Sequence, residues 1–352
     1  MAFGPDFLML LAIIIMALVF DYINGFHDAA NAIATLVATK VMTPRVAVTF
    51  GAIFNFAGAL LSTEVAATVG KGLVDADAIT MPIVLCALVG GITWNLLTWW
   101  WGLPSSSSHA LIGSLLGATF FAGNNGPQHI SWSTVGQKVV FPMFTSPFLG
   151  FVFGFLIMTG LIWLVFRVHL QKINAAFGKL QVLSAMFMAL SHGSNDAQKS
   201  MGIIALSLLT FSKIPGVHFP EWFFPQTGGF HVPLWVIVSC ASMIALGTLS
   251  GGWKIIHTLG NKMLKLQPIH GFAAETTASA VILTATHFGI PLSTTHVITS
   301  AIMGVGATKR LSAVKWSIVG NILWAWVLTI PLTFLFSGCL MCLINWLMLF
   351  KP

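Results

Sequence analysis

The chain has 352 residues, of which 57% are hydrophobic and only 7% charged, and its mean hydropathy is +0.90. A soluble domain carries charge on roughly a quarter of its residues, so this composition excludes that class and specifies a polytopic membrane protein. The formal net charge of +7 then belongs to membrane-flanking loops, with lipid as the surrounding partner, and does not point to nucleic acid.

A membrane span needs about 20 apolar residues. Taken in order, the candidate runs are 7–39, 46–64, 82–101, 105–122, 139–166, 180–210, 232–250, 274–290, 293–308, 316–336 and 338–350. They predict an all-α polytopic fold of roughly 10–12 transmembrane segments. The first run, from Phe7, has no basic leader or small-residue cleavage site and reads as a retained span. No linker-like segment divides the chain, so residues 1–352 are expected to form a single membrane domain. With the N-terminus outside and one crossing per run, Lys71, Lys138 and Lys213 are the outer basic residues; the others, apart from Lys199, fall inside, in accord with the positive-inside rule. Cys86, Cys240, Cys339 and Cys342 lie in apolar runs and read as small core residues. The tryptophans read as interfacial anchors.

Two polar stretches break this apolar pattern: Asn24-Gly25-Phe26-His27-Asp28-Ala29-Ala30-Asn31 and Ser191-His192-Gly193-Ser194-Asn195-Asp196-Ala197-Gln198-Lys199-Ser200. In hydrocarbon either would be costly unless it faced protein or a water-filled cavity. Aligned on Gly25 and Gly193, their Asp-Ala pairs coincide at a register of 168 residues. The two runs that contain them exceed one straight span, so each helix is expected to bend or unwind at its motif. A second pair, Gly102-Leu103-Pro104-Ser105-Ser106-Ser107-Ser108-His109 and Gly289-Ile290-Pro291-Leu292-Ser293-Thr294-Thr295-His296, matches at a register of 187 residues. The basic loops place the first motif's helix entering from outside and the second's from inside. The expectation is an inverted-topology repeat with broken helices, repeat 1 covering about 7–166 and repeat 2 about 180–350.

Such repeats point to a secondary transporter whose site lies near the midplane between the halves. In the second motif pair, proline followed by hydroxyl residues reads as a helix start with N-cap side chains. Helix N-termini suit an oxyanion. The substrate-binding candidates are therefore Asn31, Ser105, Ser106, Ser107, Asn195, Lys199, Ser293, Thr294 and Thr295. Asp28 and Asp196 oppose an anion: at ~5 Å and an effective dielectric of ~20, each pair of like charges repels by about 3 kcal/mol. Cations must therefore enter with it. Lys199 supplies one fixed charge, and the rest must come from protons on His27, His192 or the aspartates, or from a metal ion such as Na+ at Asp28 and Asp196. Glu64 and Glu275, read as intramembrane, join His27, Asp28 and Asp196 as coupling-ion candidates. No resident cofactor and no catalytic residue is expected, because adjacent Ser108 and His109 in one helical turn do not form a base–nucleophile pair. The residues alone do not separate phosphate from sulfate.

The paired Gly-x-x-Asp-Ala elements, the Asn31 and Lys199 positions after them, and Pro-Ser-Ser-Ser-Ser-His beside Pro-Leu-Ser-Thr-Thr-His resemble the inorganic phosphate transporter (PiT) family. The likeness covers essentially the whole chain, including the connection from Gly251-Gly252-Trp253 to Glu275. It implies symport of inorganic phosphate across the cell (inner or plasma) membrane, about twelve helices in inverted repeats, and a homodimer, and leaves open whether phosphate travels free or as a metal–phosphate complex. One departure bears on coupling. Sodium-coupled members commonly carry Gly-Ala-Asn-Asp in both repeats, whereas the first repeat here reads Gly25-Phe26-His27-Asp28, which resembles the bacterial low-affinity Pit type. Losing an amide oxygen weakens a hard-cation site, and an imidazole with pKa near ~6.5 supplies a proton carrier. Protons are therefore the expected driving ion, with sodium the alternative.

Overall fold

The computed structural model describes residues 4–75, 77–123, 126–214, 219–221, 223–224 and 230–349. Among them the chain forms thirteen α-helices and no strand. Proline opens α1 (Pro5–Ala38) and α2 (Pro44–Ala59), where its fixed φ and missing N–H fit the first turn. After α3 (Glu64–Lys71), α4 (Met81–Trp101) closes on left-handed Gly102, and α5 (Ser107–Phe120) starts on the Ser106 cap. A short α6 (Trp132–Val135) passes through a π turn, Gly136–Val140, into α7 (Phe141–Val165). The second half runs through α8 (Leu170–Ser212), α9 (Leu234–Ser250), α10 (Trp253–His257), α11 (Pro268–His287), α12 (Thr294–Ala307) and α13 (Trp316–Leu349).

Among the described residues, five helical stretches are long and apolar enough to cross a membrane: α1, α4, the stretch from Trp132 to Val165, α8 and α13. Two bent pairs, α2 with α3 at 73° and α9 with α10 starting at Leu234 at 59°, raise the count to seven. Large apolar side chains such as Phe148, Trp163, Leu164, Leu234 and Trp324 are exposed, as a surface in contact with lipid tails requires. α5 and α12 have 14 residues each, about 21 Å of helix against a hydrocarbon core of about 30 Å. They reach into the bundle without crossing it alone.

The expected interruptions at the motifs do not occur. α1 and α8 run as continuous helices through Gly25–Asp28 and Gly193–Asp196, and the bends fall instead between α2 and α3 and between α9 and α10. Glycine signals close approach here. A Cβ on Gly25 would lie 2.2 Å from the carbonyl oxygen of Ile244, and one on Gly193 would lie 2.1 Å from that of Asn55. The polar side chains leave the helix towards protein neighbours, so the backbone has no need to unwind. The runs 316–336 and 338–350 likewise merge into the single helix α13, whose Gly338 accommodates the ring of Phe121. Cys86 and Cys240 are buried as expected, but Cys339 and Cys342 are exposed on α13.

The helices interlock reciprocally. α1 packs on α9 and α8 on α2; α5 packs on α13 and α12 on α7. Gly247 meets the carbonyl of Tyr22 as Gly58 meets that of Leu190, and Gly117 meets Phe334 as Gly304 meets Phe151. Two apolar cores result. One holds Leu10 to Ile23 of α1 with Ala197 to Phe211 of α8; the other holds Ala29 to Leu36 of α1 with Ile173 to Ala189 of α8. The polar motifs lie between them.

Candidate functional site

α1 and α8 carry their acids at matching places, and α5 and α12 bring capped N-termini to them. Ser106 Oγ accepts from His109 N (3.1 Å) and Ser293 Oγ from His296 N (3.3 Å), so both predicted helix starts are formed. Asp28 Oδ1 lies 2.7 Å from His27 Nδ1 and accepts from Thr295 Oγ1 at 3.2 Å, while Oδ2 accepts from Ser107 Oγ at 3.3 Å. On the other side, Asp196 Oδ1 accepts from Lys199 Nζ at 2.5 Å, and Oδ2 faces His192 Nε2 and Thr294 Oγ1, each at 3.3 Å. Asn31 joins the halves: its Nδ2 donates to Thr295 Oγ1 at 2.9 Å and Thr294 Oγ1 at 3.3 Å. All of these side chains are buried.

The fold therefore gathers His27, Asp28, Asn31, Ser107, Asp196, Lys199, Thr294 and Thr295 into one cluster, with Ser106 and Ser293 shaping its backbone. Ser105 is one step removed, donating to Thr98 Oγ1 at 2.8 Å. Asn195 turns towards α11, donating to Thr286 Oγ1 at 2.9 Å and the Ile290 carbonyl at 3.3 Å. Two candidates lie apart. Glu64 is exposed in the first turn of α3. Glu275 is buried two turns along α1 from Asp28, where Thr35 donates to Oε1, Gln181 Nε2 to Oε1 at 3.2 Å and Ser184 Oγ to Oε2 at 2.5 Å. Two hydroxyls and one amide N–H thus surround its carboxyl.

Sequence reasoning missed Thr98, which holds His27 Nε2 at 3.1 Å from a different helix; nothing in its local sequence marks it. It also passed over the structural role of Gln198, whose Oε1 accepts from the backbone of Val65 (2.7 Å) and Ala66 (3.2 Å) and caps α3. A signal was present for Asp21. With Asn24, Asp28, Asn31 and Thr35 it forms a polar stripe at three- and four-residue spacing on one helix face. A surface groove lies elsewhere, between α7 and α11, lined by Phe141, Leu149, Phe153 and Phe288. It is apolar, and none of the candidates lines it.

Chemically, the cluster offers hydroxyls, an amide and two helix N-termini for an oxyanion, and two carboxylates for a cation. Asp28, His192 and Asp196 each present one ligand atom within 4.8 Å of the others. Comparison with known proteins gives the family. Residues 24–337 match the family profile described as "Phosphate transporter family". A protein of Rhizobium meliloti (strain 1021) named as a probable low-affinity inorganic phosphate transporter is 46% identical over 333 residues, covering 94% of this chain and 95% of its own. One of the same name from Bacillus subtilis (strain 168) is 41% identical, covering 93% and 95%. A solved structure titled "The sodium-dependent phosphate transporter" superposes with a TM-score of 0.84 at 23% identity, covering 96% of this chain and 99% of that one, a likeness of fold. This chain belongs to the phosphate transporter family and is a multi-pass cell-membrane transporter, not an enzyme.

Proposed function

We propose that this protein imports inorganic phosphate by proton symport, at a site between two inverted repeats that opens to each face in turn. The observation that carries the coupling reading is the setting of His27. Its Nδ1 faces a carboxylate at 2.7 Å and its Nε2 faces Thr98 Oγ1 at 3.1 Å. The Thr98 hydroxyl hydrogen has its own acceptor in the Trp94 carbonyl at 2.9 Å. Both ring nitrogens thus have acceptors, an arrangement that suits the imidazolium. Lys199 neutralises Asp196, so the cluster reaches neutrality only when a further cation joins Asp28; a proton on His27 supplies it and lowers the repulsion on an incoming anion.

Phosphate would then be held by Asn31, Ser107, Thr294, Thr295 and the N-termini of α5 and α12, with Lys199 as the fixed positive charge. Loss of the proton on the cytoplasmic side restores the charge on Asp28 and favours release. The reciprocal packing of α1 on α9 and α8 on α2 supports an inverted repeat, whose halves rock about the fixed site. The relatives' names favour phosphate over sulfate as substrate.

A sodium-coupled cycle is the second reading. It is favoured by the convergence of Asp28, His192 and Asp196, which would also let phosphate travel as a metal complex. Phosphate uptake into proteoliposomes, with pH and sodium gradients imposed separately, tests both. An inward proton gradient alone should drive accumulation; a protein driven by sodium and indifferent to protons overturns the proton assignment and leaves the phosphate one standing.

A further inference from the structure

Asp21 lies two helical turns before Asp28 on the same face of α1 and is fully buried. Its Oδ1 accepts from Ser200 Oγ at 2.6 Å. Its Oδ2 has no hydrogen-bond partner of ordinary geometry, and the thiol of Cys240 on α9 lies beside it. The charged groups that face Asp21 are Asp196 and Lys199 on α8, and Lys199 is already spent on Asp196. A buried carboxyl with no cation of its own is stable when it carries a proton.

Between Asp21 and the cluster sit two asparagines that the protein does not satisfy. Asn24 and Asn95 are both fully buried, and neither Oδ1 nor Nδ2 of either finds a partner. α1 and α4 run side by side at a constant offset: a Cβ on Gly91 would meet the ring of Phe20, and Thr98 meets His27. The same offset puts Asn95 level with Asn24. Four buried amide atoms without protein partners call for water.

We propose that Asp21 is a proton-loading site on the N-terminal, outer side of the transport centre, linked to His27 by a hydrated track along Asn24 and Asn95. The site suits a proton better than a metal ion: it offers one carboxyl, one hydroxyl and a thiol, whereas a hard cation takes about six oxygens. The track delivers the driving ion to the cluster apart from the surface that binds phosphate. This role rests on the proton-symport reading.

The test uses the full-length protein in sodium-free proteoliposomes, reading initial phosphate uptake at outer pH 5.5 and 7.5. Proton drive in the wild type appears as a severalfold ratio between the two. In Asp21→Asn that ratio is expected to fall to within about twofold of unity, and Asp21→Glu to restore it. Asn95→Leu, which dries the track without removing a charge, is expected to flatten the profile as well. Wild-type profiles in both the Asp21→Asn and Asn95→Leu variants overturn the proposal. A measurement on the unaltered protein covers variants that fail to fold: a hydrophobic carbodiimide, which adds to protonated carboxyls, is expected to label Asp21 faster at pH 5.5 than at pH 8. Labelling that is absent or indifferent to pH overturns the site. A wild type that ignores the proton gradient counts against proton symport itself, and the carbodiimide result then still decides whether Asp21 takes up a proton.

Discussion

Asp28 and Asp196 hold the same place in the two matching polar motifs, yet the first is bound by His27, Ser107 and Thr295 and the second by Lys199, His192 and Thr294. The second carboxylate has a permanent cation one turn away. The first has an imidazole in that place. One pattern, used twice, thus carries a lysine in one half and an imidazole in the other. In the proton-symport proposal the lysine half keeps an anion's affinity and the imidazole half couples it to the gradient.

The sharpest way to break this comparison is Asp28→Asn. It removes the carboxylate that the driving cation neutralises, so accumulation of phosphate against its gradient should fall to the level of empty liposomes. Concentrative uptake in a folded Asp28→Asn protein would assign coupling to the other half. Lys199→Met attacks the lysine half. It leaves Asp196 charged and buried, and should lower unfolding stability in detergent by about 3–5 kcal/mol. It should also weaken phosphate binding by ~1–3 kcal/mol. Adding Asp196→Asn should return much of the stability but not the binding; equal instability of the single and double variants would mean that the ion pair is not the cause.

The backbone comparison comes next. Gly25→Ala and Gly193→Ala each press a methyl against a carbonyl oxygen, 2.2 Å and 2.1 Å away, and should cost about 1–3 kcal/mol, or more, to a similar extent in both halves. A large cost on one side alone would show that the two interlocks are not equivalent. His27→Asn rebuilds in the first half the Asn-Asp pair seen at Asn195-Asp196. Uptake measured from pH 5.5 to 8, with and without sodium, should lose several-fold pH dependence or gain dependence on sodium. The smallest effect concerns an exposed pair. Hydrogen bonding and charge from Lys213 hold the Asp77 carboxyl below its ordinary range. That contribution is present above the ordinary carboxylate pKa and is lost as pH falls through the lowered one. Water and salt screen it, so Lys213→Ala should leave thermal unfolding at pH 7 unchanged within error.

Much of the site was legible because intramembrane polarity is expensive. His27, Asp28, Asn31, Asp196, Lys199, Thr294 and Thr295 stand out from apolar surroundings and do converge. The same signal misled at Glu64, where a helix end near the surface needs no burial, and at Gly25 and Gly193, where glycine marks contact between helices and not a break. Thr98 was invisible because threonine is common in apolar helices and becomes a partner only where another chain segment meets it.

Apolar runs and proline and serine positions determined that this chain is a bundle of membrane helices, where many of them start, and that two acidic motifs and two hydroxyl-capped helix starts recur. Those properties are local: each depends on a few neighbouring residues and on the cost of polar groups in hydrocarbon. Tertiary structure alone decided that α1 and α8 run unbroken through their motifs, that the chain bends after α2 and after α9 instead, and that His27 faces Thr98 while Asn195 turns to Thr286. The Asp196–Lys199 ion pair is local by contrast, because residues three apart on α8 share a helix face. Contacts such as His27 with Thr98 and Asn195 with Thr286 depend on the crossing of helices distant in sequence, and no spacing along one helix encodes them.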